Sequence, residues 1–283
     1  VIDYQVLASG YGTIEGPTVD TDGNLYFSDV FGGGVYRRAR SGEVELFVPR
    51  RKGVGGICLH ADGGIVVAGR DLSHVREGSS RTILGRDDWE ALGLTGVTGF
   101  NDIHADDRGR VLAGSKRADA GTEVPGSLVL VTGQAEAQTV YSDVDGSNGL
   151  ALDWNSKRLF HSASFAHEVI VSTQDDTGAY LPISRFSTSP MNGVPDGLAL
   201  DAEGCPWVAF YDGGEIVRFS PDGEVLRHVP LPATRITSLC FVSEQDTQLI
   251  VVTEDNTATP SRRGSIFQID AGVAGAPVGL ATV

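Results

Sequence analysis

The sequence predicts an all-β fold, a six-bladed β-propeller with four-stranded blades, and three observations carry that prediction. Thirty-seven glycines sit among short apolar runs bounded by Asp-Gly, Gly-Gly and Asn-Gly pairs, the punctuation of tight β turns. One pattern recurs six times along the 283 residues: a polar or small residue, an apolar pair, a turn and a second apolar run. Its period of 40 to 48 residues is the length of one four-stranded propeller blade.

The elements follow in chain order. A strand-like segment, Tyr4 to Ala8, precedes the repeats and is expected to pair with the last blade, closing the ring and removing two sheet edges. The repeats then open as EGPTVDTDGNLYFSD from Glu15, GGICLHADGGIVVAG from Gly55 and NDIHADDRGRVLAGS from Asn101. They continue as NGLALDWNSKRLFHS from Asn148, DGLALDAEGCPWVAF from Asp196 and TSLCFVSEQDTQLIVVT from Thr237, with spacings of 40, 46, 47, 48 and 41. A third and fourth run follow each pair, such as GGVYRRA and VELFV in the first copy or GEIVRFS and EVLRHVPL in the fifth. Only residues 86–93 (RDDWEALG) look helical; they lie in an insertion from Gly85 to Gly99 that carries Trp89 and Leu92 and is expected to act as a partial lid. Blades depend on their neighbours, so residues 1–283 are expected to form a single domain.

Composition narrows the partners. Twenty-two Lys and Arg against 37 Asp and Glu leave a net charge of −15, unsuited to a phosphate backbone or an anionic membrane. No apolar run reaches the ~18 residues of a membrane span, and no signal-peptide pattern follows Val1. A cytoplasmic location is the expectation, with a trimmed leader left open, and the chain is expected to be a monomer or small homo-oligomer. Cys58, Cys205 and Cys240 share no metal-binding spacing and each sits in or beside an apolar run, which reads as buried, reduced thiols.

The register carries the chemistry. Innermost strands line the central channel, so the first residues of the repeats share one height: Glu15, Gly55, Asn101, Asn148, Asp196 and Thr237. Two carboxylates and two amides at that height form an all-oxygen donor set suited to Ca²⁺, Mg²⁺ or Mn²⁺. Each alone reads more readily as a turn residue; together they would repel unless something positive sat between them. The absence of His and Cys from the set disfavours zinc.

At these residues the chain resembles the SMP-30/gluconolactonase/luciferin-regenerating-enzyme-like family, six-bladed propellers that hydrolyse lactones with one divalent metal ion. The resemblance runs through EGP, FND at Phe100 to Asp102, SNGLALD from Ser147, PDGLALDAEG from Pro195, WVAFYDGGEIVRFSPDG from Trp207, TSLCF and GSIFQID. It implies Glu15, Asn148 and Asp196 as metal ligands, Asn101 facing substrate and the metal, and Asp196 also as general base. It implies Ca²⁺ foremost, with Mg²⁺, Mn²⁺, Fe²⁺ or Zn²⁺ as alternatives. Where some sugar-lactone members have Arg two residues before the substrate-facing Asn, this chain has Gly99, and Asp119 or Glu123 stand in for a substrate-binding carboxylate.

The expected activity is therefore opening of a small-molecule lactone, the cation acting as Lewis acid on the carbonyl and Asp196 taking a proton from water. The same site would also serve phosphotriester hydrolysis, and a propeller can be a non-enzymatic binding module. No GxSxG elbow, Walker loop or HExxH stands in the chain. Phe100, Phe165 and Tyr211, with Phe31, are expected as an apolar wall at the channel mouth. His167 and His74 are expected in rim loops, and His104 as a packing residue off the face of Asn101.

Overall fold

A computed structural model describes residues 2–283. It holds six antiparallel sheets: five formed consecutively along the chain and a sixth that joins the two ends. The inner strands are Ile14–Val19, Ile57–Leu59, Val97–Ala105, Ser147–Asp153, Val194–Leu200 and Ile236–Phe241, and they define blades 1 to 6. The protein is a six-bladed β-propeller with four-stranded antiparallel blades. Blade 3 carries one extra short strand, Thr122–Val124, paired to Val111–Asp119. Ring closure is as the sequence implies: Tyr4–Tyr11 pairs antiparallel with Gly264–Asp270 as the outer strand of blade 6.

Strand alternation explains why the blades adhere. In blade 1, Leu25 and Phe27 face blade 6 and pack with Ile250, Val252 and Ile266, while Tyr26 between them faces blade 2 and packs with Ile65 and Val67. Side chains that alternate across a strand thus feed two junctions at once. Every junction between neighbouring blades has such a buried cluster, so removal of one blade would strip apolar surface from two others.

The helix is present, at Arg86–Ala91, but its role differs from the expected lid. Trp89 is buried and meets Phe100 edge-on at a 5.7 Å ring separation, which fixes the insertion to the core between blades 2 and 3. Burial of the indole outweighs any gain from hanging over the mouth. The three thiols are free; burial pushes those of Cys58 and Cys240 up to about 12.

The last residues close one end of the channel. Ala276 donates its N–H to the Leu200 carbonyl at 2.9 Å and Ala281 to that of Leu59 at 2.8 Å, laying the chain across the inner strands of blades 5 and 2. Beneath it lies a cavity of about 110 Å³ lined by Ile57, Leu150, Leu198 and Leu239 among others. The opposite end of the channel remains open. Among the described residues no helix is long and apolar enough to cross a membrane.

Candidate metal centre and recess

The inner strands break their regular pairing at the height the repeats share. Register shifts fall between Glu15 and Thr18, Phe100 and Ile103, Ser147 and Leu150, Pro195 and Leu198, and Ile236 and Ser238. In blade 2 the strand starts only after Gly55 and Gly56. A bulge of this kind re-aims a side chain and sharpens the local twist, here at the positions that converge on the axis.

Glycine follows the bulged residue in four blades, as Gly16, Gly56, Gly149 and Gly197. A Cβ on Gly16 would lie 2.8 Å from the Gly55 carbonyl oxygen, and one on Gly149 would collide with the Leu198 amide. Neighbouring inner strands therefore approach too closely for any side chain there. Blades 3 and 6 place Asp102 and Ser238 instead.

Side-chain bonds lock this layer at four of the blade junctions, each running to the carbonyl just before a register residue of the next blade. Ser28 Oγ donates to the Val54 carbonyl at 2.6 Å and Thr237 Oγ1 to that of Ile14 at 2.5 Å. Asn101 Nδ2 donates to the Ser147 carbonyl at 3.1 Å, and Ser164 Oγ to that of Pro195 at 2.6 Å. Asn148 Nδ2 donates to Ser164 Oγ at 3.2 Å. With both amide nitrogens engaged, the amide oxygens of Asn101 and Asn148 are left for other partners.

What remains is a set of oxygens shut off from solvent with no hydrogen-bond donor among the described residues: Glu15 Oε2, Asn148 Oδ1, Asp196 Oδ1 and Asp102 Oδ1. Buried polar atoms are nearly always satisfied, so such a cluster calls for a cation or water. The electrostatics agree. Burial, then the charges of Asp196 and Asp102, hold the Glu15 carboxyl well above its usual range. Burial and then Asp102 do the same to Asp196, against the opposing pull of the Asn148 amide, Lys116 and the Gly197 N–H. Burial raises Asp102 to about 7, with Lys116 opposing. Three buried carboxyls, with Asp102 raising Asp196 and both raising Glu15, suit a hard divalent ion, which Asn148 would complete with an amide oxygen. Among the described residues no three His, Cys, Asp or Glu side chains are grouped closely enough to hold a metal by themselves, and a donor set at this layer would need the amide oxygens. Glu15, Asn148 and Asp196 thus fit a metal, and Asn101 lies beside them with its oxygen free.

Above this layer opens a recess of about 260 Å³, lined by Asn101, Lys116, Glu123, Asn148, Phe165, Asp196 and Tyr211 among others. Phe165 is exposed at the rim, while Tyr211 is held by its hydroxyl, which donates to Glu254 at 2.8 Å. Phe100 is different: its ring is wholly buried against Trp89, because the bulge that aims Asn101 at the axis turns Phe100 into the blade 2–3 core, and it does not line the recess. Asp119 ends the strand Val111–Asp119, exposed and outside the recess lining, whereas Glu123 is part of it. Phe31 is exposed and also outside the lining.

The histidines lie away from the recess. His74 is in the strand Leu72–Arg76, not a rim loop, stacked on His60 at 3.7 Å and bonded to the Gly63 carbonyl. His104 is buried and lines the far cavity, where burial lowers it to about 4. His167 occupies a turn with positive φ and does not line the recess. Sequence reasoning missed Asp102 and Lys116. For Asp102 a signal existed, a carboxylate where four other copies of the repeat have glycine; Lys116 has no counterpart in the pattern.

Comparison with known proteins adds the lineage. The sequence model of a family described as SMP-30/Gluconolactonase/LRE-like region matches residues 13–255. The chain is similar to regucalcin of Xenopus laevis, 30% identical over 280 residues, covering 93% of this chain and 92% of that protein. It is similar to a 6-deoxy-6-sulfogluconolactonase of Pseudomonas putida, 33% identical over 226 residues, covering 78% and 75%. A crystal structure described as a calcium-binding protein, regucalcin, from Agrobacterium tumefaciens superposes with a TM-score of 0.82 at 18% identity, covering 100% of this chain and 98% of that one.

Proposed function

Since the chain belongs to the SMP-30/gluconolactonase/LRE-like family, we propose that it is a metal-dependent hydrolase that opens a lactone in the recess above the channel layer. Relatives named as lactonases support the reaction class. The observation that carries the metal is the set of unsatisfied buried oxygens on Glu15, Asn148 and Asp196. The calcium-binding description of the Agrobacterium tumefaciens structure supports Ca²⁺ as the first ion to try.

Glu15, Asn148 and Asp196 would hold the ion, with Asn101 beside it. When bound, a divalent cation supplies Lewis acidity toward the lactone carbonyl oxygen and the negative charge that develops there. The chain supplies the rest. Asp196, whose pKa burial and then Asp102 raise well above the usual carboxylate range, is the stronger base for it and accepts a proton from the attacking water. Asn101, clamped through Nδ2 to Ser147, presents its amide oxygen at a fixed height and orients substrate or water. Phe165 and Tyr211 offer faces against which a ring can lie.

The test is a proton-release assay on sugar and alkyl lactones, after chelation and after restoring Ca²⁺, Mg²⁺, Mn²⁺, Zn²⁺ or Fe²⁺ in turn. Turnover that vanishes with chelation, returns with one cation and is lost by a factor of about 10² or more in D196N is the expected result. Turnover indifferent to chelation, or retained in D196N, would overturn it.

A further inference from the structure

Lys116 is the one cation among the residues lining the recess, and the metal-holding set has no use for it as a ligand. It is half-buried. Lys157 pairs with Asp107 at 2.5 Å, whereas Lys116 forms no ion pair among the described residues. Its charge still reaches the floor, since it pulls the carboxyls of Glu15, Asp102 and Asp196 downward.

Strand pairing puts it there. Lys116 lies directly opposite Gly99 across the Val97–Ala105 and Val111–Asp119 ladder, and opposed residues in an antiparallel pair project from the same face. Gly99 has no side chain to offer on that face and cannot gain one cheaply. A Cβ would sit 2.8 Å from the Gly69 carbonyl oxygen, which is already held at 2.7 Å by the Phe100 N–H. The second strand of blade 3 therefore supplies the side chain that the inner strand lacks. Glu123, on the added strand Thr122–Val124, lines the same recess and is likewise in no ion pair among the described residues.

Two opposite charges that open on one recess without pairing select among ligands. An anionic substituent would satisfy Lys116 but meet the carboxylate of Glu123 in the same recess. An alkyl lactone would cover the ammonium and leave it without a partner, at a cost of about 1–3 kcal/mol. A neutral ring bearing several hydroxyls satisfies both, because each hydroxyl donates and accepts. We infer that Lys116, with Glu123, is a specificity-determining residue that reads the hydroxyl groups of a polyhydroxylated lactone from the strand facing Gly99. The inference rests on the lactone reading above and adds the residues that choose the substrate.

The experiment compares wild type, K116M, K116R and E123Q, all metal-loaded, on a polyhydroxylated and an unsubstituted δ-lactone. The expected result is that K116M lowers the ratio of kcat/KM for the hydroxylated over the unsubstituted lactone by about tenfold or more, mainly through KM, with K116R recovering most of it. Equal losses on both lactones, or no loss, would overturn the assignment, as would a loss confined to lactones carrying an anionic group. Should wild type open neither lactone, the lactone reading falls on its own. Calorimetric binding of a neutral linear polyol then decides the inference: loss of binding in K116M supports it, and absent or equal binding in both proteins overturns it.

Discussion

Asn148 donates its amide N–H to Ser164 Oγ at 3.2 Å, and the same hydroxyl donates onward to the carbonyl of Pro195, the residue before Asp196, at 2.6 Å. One hydroxyl therefore sets the amide orientation of Asn148 and ties the backbone that carries Asp196 to the neighbouring blade. The two oxygens it leaves free, Asn148 Oδ1 and Asp196 Oδ1, are among the unsatisfied ones at the axis.

Replacing that hydroxyl tests its positioning role. S164A should lower Ca²⁺ affinity about tenfold by calorimetry, because Asn148 becomes free to turn its nitrogen toward the axis. Stability in chelator should fall by only about 1 kcal/mol, the usual worth of such a bond. Wild-type Ca²⁺ affinity in S164A would show that the amide is held by other means.

Metal should act on stability as well as on turnover. Adding Ca²⁺ at about 100 times its Kd to the chelated protein should raise unfolding free energy by about 2.7 kcal/mol and lift Tm accordingly. E15Q and D196N should lose most of that rise. An unaltered rise in both variants would move the ion away from these carboxylates.

The raised acids give the metal-free protein a signed pH dependence. A carboxyl whose pKa is higher in the folded state binds more protons there than when unfolded, so its contribution to stability falls as pH climbs from the unfolded value toward the folded one. For Asp102 that window runs from 3.8 to about 7. Buried His104 and His161, lowered to about 4 and about 3, act in the opposite sense below pH ~6.5 and mask the trend in the wild type alone. The difference between D102N and wild type isolates it. In chelator, D102N should be more stable than wild type at pH 8 by roughly 1–4 kcal/mol, with the gain shrinking toward pH 4. Chemical denaturation at several pH values reads this directly; a pH-independent difference would mean that Asp102 is not held protonated.

Close approach of the inner strands makes its own prediction. G16A meets both a positive φ of 57° and a carbonyl oxygen 2.8 Å from the new Cβ. It should destabilise by about 2 kcal/mol or more, whereas alanine at Gly53, with positive φ but open space, should cost about 1 kcal/mol. Equal losses in thermal melts would assign the effect to backbone strain alone.

The sequence made the ring legible because a propeller repeats a local rule. Apolar pairs and Asp-Gly turns at a steady period mark four strands per blade without knowledge of what they touch, and Glu15, Asn148 and Asp196 stood out by falling at one repeat position. Phe100 was misread for the same reason. It neighbours Asn101 in the chain, but a bulge sends adjacent side chains to different surroundings, and no local pattern announces a bulge.

By itself, then, the sequence determined the number of blades, the closing strand and the residues that meet at one height on the axis, since period and turn chemistry are properties of neighbouring residues. Tertiary structure alone decided which oxygens stay unsatisfied, that Asp102 joins the carboxylates, and that Lys116 stands opposite a glycine that cannot bear a side chain. Those facts depend on distances between strands of one blade and between blades, and such distances arise only when the ring has closed.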